Sequence, residues 1–362
     1  MRKKALTYRK SGVDTQKEEV ALKYLLGWTV RTFDLRKKTG KTILKSGYFA
    51  NVIGIDQEKG IAISTDGVGT KILIAQQLDK YDTVGIDCVA MNVNDVLCVG
   101  AEPLSMVDYI AVSRPDPQLL DEIGKGLWEG ARIAQINIPG GEVAQVREII
   151  QGKKRGKEFD LVGTAIGIVN LDKIITGENI EEKDIVMGLA SSGIHSNGLT
   201  LARRALLQKG NLKLKSYIPE LGRTLGEELL EPTLIYVPAV IEMLKKQVKI
   251  KALVHITGGG LLNLTRVFAS VCFYIDNLPP PPPIFSLIQK EGNISDEEMF
   301  SVFNMGVGFC IVIPEEEIDR VMEISRKYNF TPHRIGYIKE KGESKVVIPQ
   351  KKLIGKNSFR KY

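Results

Sequence analysis

The residue types best suited to chemistry in this chain stand in a short glycine-rich turn. Asp66 opens the run Asp-Gly-Val-Gly-Thr-Lys that ends at Lys71, directly after a largely apolar segment at 61–64. A carboxylate in such a turn can hold Mg²⁺, while the amides of Gly67 and Gly69 can approach phosphate oxygens and the lysine adds positive charge. The spacing is not that of a P-loop, and Asp-Gly is also ordinary turn chemistry. The turn alone therefore leaves a phosphate site and a plain turn open.

The segment after this turn favours the functional interpretation. Its apolar residues recur with the spacing of a helix. The other side of that helix carries Asp87, Met91, Asn94 and Asp95. A helix that is only structural seldom needs a polar stripe on an otherwise apolar element. We therefore predict that Asn94 and Asp95 join the turn in binding Mg²⁺ and phosphate.

Two later turns repeat the order of strand, small residues and helix. Hydroxyls and backbone amides in the first turn favour an anion such as phosphate, although capping explains them equally well. Three consecutive glycines in the second turn are costly unless the backbone bends tightly or approaches a ligand closely. Each turn contains a histidine, but neither histidine has metal-ligand spacing. The residues concerned are His195, Ser196 and Asn197 in the first turn, and His255, Thr257, Gly258, Gly259 and Gly260 in the second.

Weaker signals stand elsewhere in the chain. Glu142 follows two glycines and could face a cation, but a plain turn with a solvated glutamate is the simpler interpretation. Asp108 interrupts a predicted strand, where a structural role is expected for it. The basic loop at 152–157 has no interleaved aromatic residues, which favours a solvated surface loop over an RNA-binding patch.

Composition narrows the class of protein. The chain has 362 residues, 43% hydrophobic and 26% charged, which is typical of a soluble globular protein with two domains. The net charge of +7 suits a phosphorylated metabolite as well as nucleic acid. The four cysteines show neither a CxxC pair nor zinc spacing, and no segment has the pattern of a leader or a membrane span. We therefore expect a cytoplasmic protein with buried free thiols and no membrane association.

Alternating strand and helix patterns predict an α/β protein. Strands are expected at 42–55, 60–64, 104–112 and 159–169, with a helix at 117–136. A polar stretch at 177–183 is the best candidate for a domain boundary. The predicted domains are residues 1–176 and 177–362.

Taken in order, the motifs resemble those of the aminoimidazole ribonucleotide synthetase family, whose members are phosphoribosylformylglycinamidine cyclo-ligases. One short glycine motif would be weak evidence, but eight ordered matches across nearly the whole chain are highly specific. They are GVD at 12–14, TDGVGTK at 65–71, GIDCVAMNVND at 85–95, GAEP at 100–103, GGE at 140–142, SSGIHSNG at 191–198, HITGGG at 255–260 and FNMGVG at 303–308.

The resemblance implies a fold and a reaction. The N-terminal α/β domain would share a β-barrel with a partner across a homodimer, and a C-terminal α/β domain would follow. Mg-ATP would activate the formamide oxygen of formylglycinamidine ribonucleotide, and an amidine nitrogen would then attack that carbon and close the imidazole ring. The physical logic is that phosphorylation turns a poor leaving group into a good one, while the protein positions the reactants and offsets phosphate charge.

The resemblance also implies roles for individual residues. Asp66, Asp95 and Glu142 would be Mg²⁺ ligands. His195, His255 and Lys71 would act in catalysis. The cofactor-binding set would be Asp14, Asp66, Gly67, Gly69, Thr70, Lys71, Asn94, Asp95, Glu142, Ser196, Asn197, Thr257, Gly258, Gly259 and Gly260, within which the turn at 255–260 would receive the ribose phosphate or assist near the reacting centre.

The chain departs from the family pattern in two places. Val143 to Arg147 replaces the usual Thr-Ala-Glu-Met-Pro after the Gly-Gly-Glu motif, and Ile194 replaces a common proline. The nearest alternative is another ATP-using member of the same superfamily with a different small substrate. A basic, non-catalytic RNA-binding protein is the alternative from another class, and it would bind RNA with steep salt dependence. We expect no nucleic-acid partner.

Overall fold

A computed structural model describes residues 5–362 of the chain. The helices are α1 Thr15–Thr29, α2 Ile72–Leu78, α3 Asp82–Leu97, α4 Pro117–Ala134, α5 Leu199–Arg203, α6 Leu225–Leu230, α7 Val237–Lys245, α8 Pro283–Gly292, α9 Asp296–Val302 and α10 Ile318–Lys327. The strands are β1 Lys41–Thr42, β2 Asn51–Gly54, β3 Lys59–Gly67, β4 Glu102–Val112, β5 Gly141–Gln145, β6 Phe159–Asn170, β7 Ile185–Ala190, β8 Tyr217–Ile218, β9 Arg223–Thr224, β10 Ala252–His255, β11 Val271–Tyr274, β12 Val307–Ile313, β13 Pro332–Lys341, β14 Lys345–Ile348, β15 Leu353–Gly355 and β16 Phe359–Lys361.

The N-terminal half is built on a six-stranded sheet in the order β1-β2-β3-β6-β4-β5. All its neighbours are antiparallel except the parallel pair β4 and β5. Helix α3 packs on one face, with α4 outside it. The close approach depends on glycine, because a Cβ atom on Gly163 of β6 would lie 2.6 Å from Nδ2 of Asn92. Because successive side chains of a strand point to opposite faces of the sheet, every second side chain of these strands faces α3.

The opposite face of this sheet carries several apolar residues that nothing within residues 5–362 covers. Its outward-facing residues include Val107, Tyr109 and Ile166, which are 46%, 43% and 36% exposed. Neither large sheet closes on itself within residues 5–362. The barrel that the resemblance implies is therefore absent from one chain by itself.

The C-terminal half is built on an eight-stranded mixed sheet in the order β10-β12-β7-β13-β11-β14-β15-β16. All seven residues of β12 are buried, as expected for a central strand covered on both faces. The first sheet ends at Asn170 and the second begins at Ile185. This α/β architecture agrees with the prediction of two α/β halves. No helix in the described part of the chain combines the length and apolarity that a membrane crossing requires.

Two predicted elements differ in the structure. The strand expected over 42–55 is broken into β1 and β2, because Gly47 adopts a φ of +105° and the Asn51 side chain exchanges hydrogen bonds with the backbone of Leu44. The helix expected after the three glycines is a 3₁₀ segment, Gly260–Arg266. The loop between β1 and β2 consequently lies against the C-terminal half, where Arg266 donates to its carbonyl groups.

Candidate active site

A cavity of about 250 Å³ lies between the turn after β3 and the turn before α5. Both turns bend through left-handed backbone, with a φ of +68° at Gly69 and +79° at Gly198. A hydrogen bond of 3.0 Å between the hydroxyls of Thr70 and Thr200 joins them. Six predicted site residues line this cavity: Asp66, Gly67, Gly69, Thr70, Ser196 and Asn197.

Asp66 lines this cavity, and a second predicted acid, Asp95, contacts His255. Asp66 lies at the end of β3, where its amide donates to Asn92, and Asp95 lies on α3. The Nδ1 atom of His255 is 2.9 Å from Oδ1 of Asp95, and the side chains are 1% and 15% exposed. Burial raises the pKa of the Asp66 carboxyl, and the charge of Asp95 raises it further. The charge of Asp95 therefore disfavours ionisation of Asp66.

This pair of carboxylates fits a divalent cation. Mg²⁺ is commonly held by one or two carboxylates together with substrate phosphates and water. Repulsion between two partly buried acids is relieved when a cation neutralises both. The metal role predicted for Asp66 and Asp95 is therefore chemically reasonable and stays a prediction.

Glu142 does not join them. Across the sheet, Asp66 pairs with Gly163, Gly163 with Asp108, and Asp108 with Gly141. Gly141 is therefore three strand spacings from Asp66, a distance of about 14 Å. Glu142 is the next residue, so its side chain points to the opposite face, and it is exposed. Within residues 5–362, no group of three or more acidic, histidine or cysteine side chains is placed to hold a metal. The predicted three-carboxylate set is therefore not assembled in one chain.

Lys71 occupies a position that its sequence motif does not reveal. Its side chain is fully buried, as is that of Asp87, and Nζ lies 2.8 Å from Oδ2 of Asp87. It also donates to the carbonyl of Glu231. Asp87 in turn accepts from the backbone and hydroxyl of Thr233 and from the hydroxyl of Ser196. The ammonium group expected at phosphate thus lies within a buried network between the two halves.

His195 packs inside the turn that precedes α5. It is buried and adopts a left-handed φ of +62°, and its Cε1 atom would lie 2.6 Å from a Cβ atom on Gly308. Its Nε2 atom accepts from the amide of Ser192, so the proton of the neutral ring is on Nδ1. Burial lowers the pKa of His195 well below its usual value, and the charges of His255 and Lys71 act in the same direction. The imidazole is therefore neutral.

The three-glycine turn adjoins the cavity rather than lining it. Gly258 lies beside Asn197, since a Cβ atom there would be 3.3 Å from Oδ1 of Asn197. The amide of Gly260 is already engaged, because it donates to the carbonyl of Thr257 at 3.0 Å. Asn263 donates to the carbonyls of Gly258 and Gly260. Thr257 and Gly259 belong to the same turn, so the turn is internally braced.

Two further predicted residues are structural in this chain. The Asn94 side chain is buried, donates to the carbonyl of Leu234 and accepts from the amide of Tyr236. Asp14 caps the N-terminus of α1 and forms an ion pair of 3.0 Å with Arg9. Neither side chain lines the cavity.

The structure adds residues that sequence reasoning did not assign to a site. Tyr8 and Val13 line the cavity, although the GVD motif had drawn attention to Asp14 alone. Thr200 also lines the cavity. Its position in the first turn of a predicted helix, next to the small-residue turn, could have indicated this role. Asp87 was visible as part of the stripe on α3, but no sequence pattern links it to Lys71, Ser196 and Thr233, its partners in the structure.

The sequence of this chain matches two family models and is similar to several proteins that share one name. The model described as AIR synthase related protein, N-terminal domain, matches residues 47–169, and its C-terminal counterpart matches residues 181–349. The phosphoribosylformylglycinamidine cyclo-ligase of Methanocaldococcus jannaschii is 43% identical over 97% of this chain and 96% of its own length. That of Thermococcus gammatolerans is 49% identical over 89% of this chain and 92% of its own length.

Solved structures share the fold at lower identity. The hydrogenase maturation protein HypE, solved in complex with ATP, superposes with a TM-score of 0.58 at 17% identity, and the match covers 91% of each chain. At this identity the likeness concerns the fold alone.

Proposed function

This chain belongs to the phosphoribosylformylglycinamidine cyclo-ligase family, and from that premise we propose that it closes the imidazole ring of 5-aminoimidazole ribonucleotide in purine biosynthesis. The substrate is formylglycinamidine ribonucleotide, and ATP is converted to ADP and phosphate. Relatives at 43% and 49% identity that carry this name over most of their length support the proposal.

One structural observation carries the assignment to a site. Two turns that are about 130 residues apart in sequence, joined through Thr70 and Thr200, enclose a single cavity with the carboxylate of Asp66 at its side. Backbone amides at Gly67 and Gly69 are suited to phosphate oxygens because glycine allows close approach. We place the ATP phosphates in this cavity.

Asp66 and Asp95 would hold Mg²⁺ on the ATP phosphates. The ion would neutralise charge on the transferring phosphoryl group. His255 acts through Asp95 in this proposal: its Nδ1–H donates to Oδ1, which fixes the direction of the other oxygen. Lys71 acts indirectly as well, because its ammonium holds Asp87 and through it Ser196. His195 orders the turn that presents Ser196 and Asn197 to the substrates.

In the reaction that follows, the protein mainly positions ATP and the ribonucleotide and contributes little general acid or base catalysis. The formamide oxygen of the substrate attacks the γ-phosphorus, the bond to the ADP oxygen breaks, and a phosphoryl iminoether forms. The amidine nitrogen adds to the activated carbon, and the carbon–oxygen bond breaks to release phosphate and close the ring. Binding ATP and the ribonucleotide side by side lowers the entropic part of the barrier to phosphoryl transfer, because the reaction of two molecules becomes effectively unimolecular. Ring closure is already intramolecular, so there the protein only needs to hold the amidine nitrogen near the activated carbon.

A homodimer accounts for the uncovered face of the first sheet. Val107, Tyr109 and Ile166 form part of an apolar face, and a second copy of the chain would bury it. We propose that the two sheets meet there, as the resemblance implies. The substitution Val107→Glu should give monomers in sedimentation, whereas Ile149→Glu, at a residue that is 76% exposed outside the sheet, should leave the oligomer unchanged. Monomeric wild-type protein would contradict this arrangement.

The domain boundary and the location in the cell complete the proposal. We place the boundary between residues 176 and 177, in the connection between β6 and β7. All four cysteines are buried free thiols, which fits a reducing cytoplasm.

The proposal is tested by turnover. Purified protein incubated with Mg-ATP and formylglycinamidine ribonucleotide should form ADP and the aminoimidazole product in equal amounts. A folded sample that binds ATP but forms no product would instead favour another substrate within the same ATP-using superfamily.

A further inference from the structure

A second cavity, of about 300 Å³, is lined by Asp95. Its walls are the loop between β1 and β2, the end of β3 near Ser64, and Arg266 from the C-terminal half. Asp95 is the one residue in it that the sequence had singled out for the site. Apart from Asp95, none of its lining residues belongs to the ATP assignment.

Two cations line this cavity without a partner of opposite charge. The Arg266 guanidinium donates to the carbonyls of Gly47 and Tyr48, at 3.2 and 2.8 Å, and lies 4.1 Å from the centre of the Phe49 ring. These contacts fix its position but do not neutralise it, because a carbonyl carries no net charge. Lys45 is exposed, and neither cation forms an ion pair within residues 5–362. The one acid that lines the cavity, Asp95, already accepts from His255.

The two cavities are lined by neighbouring positions of the same helix. Met91 lines the first cavity and Asp95 lines the second. These residues are one helical turn apart on α3, a rise of about 6 Å. A substrate in the second cavity could therefore present one end to the ATP phosphates beside Asp66 and Asp95, while its other end lies near Lys45 and Arg266.

We propose that this second cavity binds the 5′-phosphate of the ribonucleotide substrate, with Lys45 and Arg266 as its cationic contacts. The inference rests on the proposed function, since it assigns the phosphate of that substrate. It differs from the expectation that the glycine turn at 255–260 receives the phosphate, because the amide of Gly260 already donates to Thr257. A phosphate monoester is the matching ligand, since its two charges need two cations and one is held rigidly.

Ribose 5-phosphate is the probe that tests this site without turnover. Titration calorimetry should show that it binds the wild-type protein and binds Lys45→Gln about tenfold more weakly, as expected for one lost charge-assisted contact. Lys41→Gln is the matched control, because Lys41 lies four residues away in the chain and outside the cavity. Arg266→Lys keeps the charge but loses the forked contacts with the loop, so it should weaken binding as well.

Steady-state kinetics distinguish a site for the 5′-phosphate of the ribonucleotide from a site for the phosphates of ATP. Lys45→Gln should raise the KM for formylglycinamidine ribonucleotide about tenfold and leave the KM for ATP within about twofold. An increase in the KM for ATP instead, or no binding of ribose 5-phosphate to the wild-type protein, would overturn the assignment. Equal binding by wild type and Lys45→Gln would overturn it too. If ribose 5-phosphate binding depends on Lys45 while the wild-type protein forms no aminoimidazole product, the proposed function fails and the phosphate site stands.

Discussion

The imidazole of His255 donates through Nδ1 to Oδ1 of Asp95 across 2.9 Å, and the two residues come from different halves of the chain. Their contact ties β10 of the second sheet to α3 on the first. Asp95 also lies close enough to Asp66 to raise the pKa of that carboxyl. The orientation of a proposed Mg²⁺ ligand in one half therefore depends on a histidine in the other.

Replacing His255 should change the Mg²⁺ requirement. His255→Leu removes the donor to Asp95, and we expect the Mg²⁺ concentration for half-maximal activity to rise about tenfold or more. His255→Asn places an amide N–H near the position of Nδ1 and should restore most of the affinity. Activity titrated with Mg²⁺ at saturating ATP measures both. The positioning role would be refuted by equal Mg²⁺ dependence in wild type and His255→Leu.

Replacing Asp66 should abolish turnover without unfolding the protein. Asp66→Asn has nearly the same shape, removes one of two repelling charges and leaves one carboxylate for the cation, so we expect kcat to fall by about 100-fold or more. Thermal stability should be unchanged or slightly higher. Asp319→Asn, at an exposed residue on α10, is the control. Retained activity in Asp66→Asn would rule out the metal role of this residue.

Breaking the buried ion pair should cost stability rather than ATP affinity alone. Lys71→Met leaves the charge of Asp87 buried without its partner, so we expect the free energy of unfolding to fall by about 3–5 kcal/mol. The double variant Lys71→Met, Asp87→Asn should recover part of this loss, because the asparagine still accepts from Thr233. Urea unfolding measures the cycle. If Lys71→Met keeps wild-type stability and binds ATP more weakly, the lysine contacts phosphate as the sequence suggested.

The neutral, buried His195 should make stability depend on pH. Burial is the main cause that lowers the pKa of His195 in the folded state, whereas in the unfolded chain the pKa is about 6.5. Below about pH 6.5 the unfolded state binds a proton at His195 that the folded state does not bind. The free energy of unfolding therefore falls as the pH falls below 6.5, by at most about 1.4 kcal/mol per pH unit. His195→Asn tolerates the left-handed backbone and should flatten the decline between pH 7.5 and 5.5. Parallel profiles for wild type and variant in urea unfolding would disprove this, with His333→Asn as the control.

The turns were predictable from sequence because glycine and Asp-Gly patterns report local backbone needs. Gly69 and Gly198 do adopt left-handed φ angles, and the two turns that contain them do face one cavity. What local patterns do not report is which side chains packing removes from solvent. The stripe on α3 shows the difference: Asp95 contacts His255 and lines the second cavity, while Asp87 and Asn94 form hydrogen bonds between the two halves.

The position of Glu142 shows a second limit. The expected turn is not formed there, because Gly141 and Glu142 lie within β5, and the face on which the acid lies depends on the register between β5 and β4. A shift of one residue would reverse that face. Lys45 and Arg266 were missed for a related reason, because their shared cavity forms only when the loop after β1 packs on the C-terminal half.

The fate of the formamide oxygen tests the central claim most directly. Substrate labelled with ¹⁸O in the formyl group should be converted with Mg-ATP, and the released phosphate analysed by mass spectrometry. We predict one ¹⁸O atom in the phosphate for each aminoimidazole formed, because the oxygen leaves bonded to phosphorus. Unlabelled phosphate accompanied by product would contradict activation of the formamide by ATP at this site.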